Sequence, residues 1–190
     1  MTMRARQPKP AHVPRLWLMT DARIASDLPR IIAALPARSA VVVRPYALGN
    51  AGREASLRPL RRIALAKRHL LLLAGPGDDR AYHGRHGFRG HAKSTPVSAP
   101  VHNRRESERA RKAGVAIVLI SPVYGTRSHQ DARPIGRRGF GSLAAQTRGL
   151  AIALGGMDAE RFRKLRNDGA HGWAAIDAFA RDQKRNWVPT

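Results

Sequence analysis

The chain contains no cysteine, so disulfides and thiolate chemistry are excluded. Aromatic residues make up only 5% of it, and no RRM, zinc-finger or helix-turn-helix signature accompanies them. Long apolar runs are missing too: stretches such as residues 115–120 (VAIVLI) are far too short to span a bilayer. The first 14 residues are basic and proline-containing, with no apolar signal core behind them. Together these absences predict a soluble, cytoplasmic protein with no membrane partner. Acidic residues are also scarce, with 13 Asp and Glu against 35 Lys and Arg, a formal net charge of +22. A field of that sign attracts polyanions. The arginines are scattered, however, in Arg61-Arg62, Arg104-Arg105, Arg137-Arg138 and the run from Arg161 to Arg166, and no single stripe dominates. This distribution argues against nucleic acid as the main partner and leaves anionic small molecules.

What is present is an alternation of short apolar runs and helix-patterned segments. The 190 residues fit one domain, read as a basic extension over residues 1–14 and a single folded domain over residues 15–190. Strands are predicted at residues 16–21, 40–44, 70–73, 87–89, 96–102, 115–123, 150–154 and 173–176. Helices are predicted after Asp27 as a cap, over residues 54–67, 104–113 (closed by Gly114), 143–148, 158–166 and from 178. Residues 40–43 (AVVV) have the continuous β-branched pattern of a strand buried on both faces. Repeated βα order implies parallel strands with right-handed crossovers, and eight units imply closure into a compact TIM (β/α)₈ barrel. The irregular stretch 75–94 leaves room for little helix at the third and fourth positions. The rival architecture is an open doubly wound sheet, which uses fewer strands.

Barrel sites gather at the C-terminal ends of the strands. There the sequence offers Arg44, His102, Ser121, Thr126, Gly155 and Gly156. Gly155-Gly156 follows an apolar strand and precedes a capped helix, a place where backbone N–H groups can approach a phosphate. Residues 121–129 (SPVYGTRSH) carry hydroxyls, an arginine and a histidine in one loop, and such a loop can hydrogen-bond phosphate. A strand-end histidine such as His102 suits proton transfer, although a lone histidine is more often a structural hydrogen-bonder. Asp78-Asp79 could offer Mg²⁺ oxygen ligands or simply form a turn. His83, His86 and His91 lack the spacing of a zinc motif.

These segments resemble the thiamine phosphate synthase/TenI superfamily. Residues 16–21 (LWLMTD) are similar to its opening LYLVTD strand, and residues 115–126 (VAIVLISPVYGT) to its ADYVGxGPVFPT segment. Residues 151–157 resemble VAIGGI, and residues 172–178 resemble GVAVVSA. The resemblance implies a TIM barrel and a transferase that condenses hydroxymethylpyrimidine diphosphate with a thiazole phosphate, with Mg²⁺ as cofactor. It implies phosphorylated pyrimidine and thiazole ligands and leaves a homo-oligomer open. Carried over by position, Arg44 is a diphosphate and pyrimidine contact, Thr126 a thiazole-phosphate contact and Gly156 the phosphate-binding glycine. Ser121 and Gly155 flank them, and Ile176 matches. His129 stands where the family has lysine, and Asp177 where it has a phosphate-binding serine. Val42 and Tyr46 replace the companions expected beside Arg44. Asp78 and Asp79 are the candidates for the metal. The sister TenI branch, thiazole tautomerases, places an acid–base histidine at a strand end that APVH at residues 99–102 resembles, so His102 is the candidate catalytic residue. A non-catalytic barrel that binds phosphates or nucleic acid is the third reading.

Overall fold

A computed structural model describes residues 13–49, 54–75, 81–88, 96–126, 132–176 and 178–179. Eight parallel strands close into a barrel in chain order: β1 (Leu16–Met19), β2 (Ala40–Val43), β3 (Leu70–Ala74), β4 (Arg85–His86), β5 (Ser98–Val101), β6 (Ile117–Ile120), β7 (Leu150–Leu154) and β8 (Ala170–Ala175). Each strand pairs with the next, and β8 returns to β1 with Leu16 opposite Trp173 and Leu18 opposite Ala175. The apolar runs become strands because a parallel barrel strand is covered on both faces. All four residues of β1, β2 and β6 are buried.

Crossover helices are α1 (Leu28–Ala34), α2 (Glu54–Ala66), α3 (Arg104–Lys112), α4 (Gly136–Gln146) and α5 (Ala159–Leu165). They follow β1, β2, β5, β6 and β7, and among the described residues none follows β3 or β4. The shortening expected at the third and fourth units is therefore real. In α1 the spacing of Leu28, Ile31 and Ile32 puts all three on the buried face. Gly114 ends α3 with φ of 68°, a left-handed conformation that glycine adopts without strain.

Four placements differ from the sequence reading. β4 is Arg85–His86, not residues 87–89: Gly87 has φ of 84° and leaves the strand, while His86 pairs with Ser98. α4 starts at Gly136, ahead of the predicted 143–148. Its glycines weaken helix propensity, but close packing asks for at least one of them, because a Cβ at Gly139 would lie 2.9 Å from that of Ile135. Burial of Phe140 and Leu143 supplies the tertiary drive. β8 begins at Ala170, earlier than predicted. Gly172 has no side chain because the chain ahead of β1 presses on it: a Cβ there would lie 2.7 Å from the Arg15 Cα. Asp27 sits at the N-cap position of α1 but makes no side-chain cap bond, since a 3-10 turn over Ala22–Asp27 leaves it in helical rather than extended conformation. Its carboxylate pairs with Arg30 at 3.1 Å instead.

The core is centred on Trp17, Trp173, Phe140 and Phe179, all essentially inaccessible to solvent. Trp173 stacks on Phe179 with ring centroids 5.4 Å apart. Trp17 satisfies its buried indole N–H by donating to the Pro14 carbonyl at 2.7 Å.

Candidate functional site

A cavity of about 1130 Å³ opens at the C-terminal ends of the strands. Arg44, His102, Ser121, Thr126, Gly155, Gly156 and Ile176 all line it. His129, Asp177, Asp78 and Asp79 lie outside the described residues.

The Gly155-Gly156 turn forms one wall. Both residues have positive φ, 94° and 59°. A Cβ on Gly155 would meet Pro122 Cα at 2.8 Å, and one on Gly156 would meet Tyr124 Cβ at 2.9 Å and the Gly125 carbonyl oxygen closer still. The turn is thus packed directly against the β6 loop, which Val123 and Tyr124 tie down by donating N–H bonds to the carbonyls of Leu154 and Gly155 at 2.9 and 3.1 Å. The sequence reading sends a phosphate to the N-terminus of the following helix. In the structure α5 has seven residues, and the Asp158 carboxylate already accepts the Arg161 N–H at 2.8 Å. What faces the cavity here is Arg161 itself. Its guanidinium lies over the Tyr124 ring at 4.8 Å and donates to the Gly156 carbonyl.

Arg44 leaves β2 toward the cavity, but its guanidinium is engaged. Nε donates to the Thr20 carbonyl at 2.7 Å and Nη2 to Asp21 Oδ2 at 3.1 Å. Burial alone would raise the Asp21 carboxyl, yet hydrogen bonds from Arg23 and the charges of Arg23 and Arg44 hold it below the usual carboxylate range. The pair therefore stays ionised and braces the β1 and β2 ends together.

At the β5 end, His102 Nδ1 lies 2.8 Å from Glu106 Oε2, and the same oxygen accepts the His102 backbone N–H at 2.7 Å. Glu106 is itself set by the start of α3, where Asn103 Oδ1 accepts the Glu106 N–H at 3.0 Å. An Asn-x-x-Glu pattern at a helix start carries this relation in the sequence. Replacing Asn103 by alanine is expected to lower stability by about 1 kcal/mol, readable as a fall of roughly 2–4 °C in melting temperature; an unchanged melting temperature would mean that the cap contributes nothing.

His86 reaches the cavity from β4. It is buried, with Nδ1 2.9 Å from the Ser98 hydroxyl. Burial, helped by the nearby charges of Arg44 and His102, lowers its pKa to about 4. It is a neutral imidazole at neutral pH. Beyond it, Arg109 of α3 lies over the Phe88 ring at 4.2 Å. Both side chains line the cavity. His86, Glu106, Arg109 and Arg161 were not singled out as site residues by the sequence reading. His86 becomes a strand-end residue once β4 is placed correctly, while the arginines are indistinguishable in sequence from the many solvated ones.

The described lining is therefore rich in cations and poor in free carboxylates. Among the described residues no three His, Asp or Glu side chains come together as metal ligands. Mg²⁺ asks for several oxygen ligands, and the described carboxylates nearest the cavity, Asp21 and Glu106, are held by Arg23 and Arg44 and by His102. Among the described residues, the donor set does not fit the metal that the family resemblance implies.

The sequence model of the thiamine monophosphate synthase family matches residues 89–179. A thiamine-phosphate synthase of Syntrophomonas wolfei is 29% identical over 46% of this chain and 42% of its own. One from Leuconostoc citreum is 30% identical over 44% and 41%. Residues 89–179 are thus similar to this family. The matching region spans less than half the length of these curated relatives. It begins just after β4 and holds β5 to β8, so Gly155, Gly156 and His102 fall inside it, whereas Arg44 and His86 do not. The barrel itself is shared over nearly the whole chain: a thiamine phosphate pyrophosphorylase from Pyrococcus furiosus superposes with a TM-score of 0.66 at 21% identity, covering 89% of this chain and 88% of that one. A structure described as native KDPGal superposes with a TM-score of 0.56 at 13% identity, covering 85% of this chain and 82% of that one, which speaks to fold alone. Among the described residues, no helix is long and apolar enough to cross a membrane.

Proposed function

We propose that this barrel binds a thiazole phosphate at the Gly155-Gly156 turn and carries the transferase chemistry of the family it resembles. The observation that carries the reading is that turn: two left-handed glycines packed on the β6 loop, with the Arg161 guanidinium over them and the cavity in front. Backbone N–H groups and a planar guanidinium suit a phosphate ester. In the reaction, the ring nitrogen of the thiazole attacks the methylene of hydroxymethylpyrimidine diphosphate. The new C–N bond forms as the C–O bond to diphosphate breaks, and the diphosphate leaves with the electron pair. Thiamine phosphate is the other product.

The residues of this chain would bind and orient. Ser121 and Thr126 place hydroxyl-bearing residues beside the glycine turn, Ile176 supplies an apolar floor, and His86 offers a neutral hydrogen-bonding group. Mg²⁺ assistance of the departing diphosphate is implied by the family, with Asp78 and Asp79 the residues proposed for it, and no step here depends on it. His129 and Asp177 remain proposed phosphate contacts. A chain with no cysteine and small phosphorylated substrates fits a cytoplasmic setting.

A second reading rests on a separate observation, the His102–Glu106 pair at the cavity mouth. A carboxylate-oriented imidazole can move a proton within a thiazole phosphate, as a tautomerase does. The test is turnover of the purified chain with both precursors, with and without Mg²⁺, following thiamine phosphate. Product formation is the expected result. Absence of product together with saturable binding of thiazole phosphate would overturn the transferase and favour the proton shift, which His102→Ala should then abolish. Absence of binding as well would leave a barrel without this ligand.

A further inference from the structure

The cavity is larger than one phosphate ester requires, and its cations are not equivalent. Arg44 is held by Asp21 and the Thr20 carbonyl. Arg161 belongs to the glycine turn, with its Nε 3.7 Å from Asp158. His102 is joined to Glu106, and His86 is uncharged at neutral pH. Arg109 differs from all of these.

It projects from α3 into the cavity lining, and the acids on its own helix are occupied elsewhere. Glu106 is bonded to His102, and Glu108 pairs with Lys112 at 3.1 Å and Arg111 at 4.0 Å. Among the described residues no carboxylate pairs with Arg109. Its one described side-chain contact of note is the Phe88 ring, 4.2 Å from the guanidinium carbon. An aromatic face fixes the guanidinium plane without consuming its N–H donors. A guanidinium held this way keeps both edges of its fork for an incoming anion.

We infer that Arg109, clamped on Phe88, forms a second anion station on the β4–β5 side of the cavity, and that it receives the diphosphate group of a second ligand. This assignment rests on the reading of the cavity as a phosphate-ester site and names which residue takes the more highly charged substrate. Its position is distinct from the glycine turn: Phe88 follows β4 and Arg109 lies on the helix after β5, whereas Gly155 and Gly156 follow β7. It also accounts for how the chain can receive a diphosphate although Arg44 is neutralised by Asp21.

Calorimetric titration of the full chain with inorganic pyrophosphate tests it. Arg109→Gln should weaken pyrophosphate binding at least about tenfold, the loss expected when a charge-assisted bidentate contact goes. Arg109→Lys, which keeps the charge but not the fork or the stacking, should recover only part of the affinity. Phe88→Leu should weaken binding about threefold through loss of the cation–π clamp. Arg62→Gln removes an exposed charge from α2, away from the cavity, and should stay within about twofold of the parent, as a screened surface charge would. Melting temperatures of each variant establish that they are folded. In the titrations the station is overturned by no pyrophosphate binding by the parent chain, an unchanged affinity in Arg109→Gln, a lysine variant equal to the parent, or an equal loss in Arg62→Gln. Failure of the transferase reading is separable. Arg109-dependent pyrophosphate binding without thiamine phosphate formation would reject the reaction and keep the station, whereas turnover insensitive to Arg109→Gln would reject the station alone.

Discussion

Gly156→Ala is expected to lower affinity for thiazole phosphate by about a hundredfold while the barrel still folds, since displacing the turn forfeits hydrogen bonds to a charged group worth roughly 1.5–3 kcal/mol each. The displacement is forced from two directions. At φ of 59° an L side chain already costs roughly 1–2 kcal/mol. The added methyl would also strike the Gly125 carbonyl and Tyr124 Cβ, and it would lie 3.2 Å from the Arg161 Nη1 that hangs over the turn. Arg161 has a flexible side chain and can yield, but the backbone of the β6 loop cannot. Relief therefore pushes the glycine turn off the β6 loop and displaces the N–H groups proposed to meet the phosphate. Titration with thiazole phosphate measures it directly. An alanine variant that binds as tightly as the parent would remove this turn from the site.

The second large effect concerns pH. His86 has a folded-state pKa of about 4, against 6.5 for an unperturbed histidine, chiefly because it is buried. Between those values the unfolded chain binds a proton that the folded chain does not. Stability is therefore full above pH 6.5 and falls as the pH drops toward 4, by about 3 kcal/mol for this one group. His69, lowered for the same first reason, adds in the same direction. Denaturant unfolding at pH 7.5 and pH 4.5 should show the loss, and His86→Gln, which retains a hydrogen-bonding group for Ser98, should show distinctly less of it. An equal loss in the variant would assign the acid sensitivity to other groups.

How far the sequence reveals this molecule depends on what holds each element. β2, β3, β6 and β7 are legible because continuous burial demands continuous apolar residues. β4 is not, because its two residues are an arginine and a histidine, both buried, and Arg85 donates to the Gly75 carbonyl at 2.6 Å. α4 is hidden by its glycines, which oppose helix locally and are explained only by what packs on them. In the site, Gly155-Gly156, Ser121, Thr126 and His102 are readable as strand-end residues. The engagement of Arg44 by Asp21 is a relation between two strands that linear spacing does not encode. Arg109 is separated from its basic neighbours only by the phenyl ring it meets in three dimensions.

The tryptophans of the core have a kinetic consequence. Trp17 lies in the first strand and Trp173 in the last, and those two strands are hydrogen-bonded neighbours. The seam they share is the contact of longest sequence separation in the strand ladder, so the chain-entropy cost of joining it is the greatest of any strand pair. On a ribosome it cannot close until β8 has emerged, and until then β1 offers an unpaired edge. Ring closure thus completes the surroundings of both indoles, and their emission in a Trp187→Phe background reports the completion of the barrel.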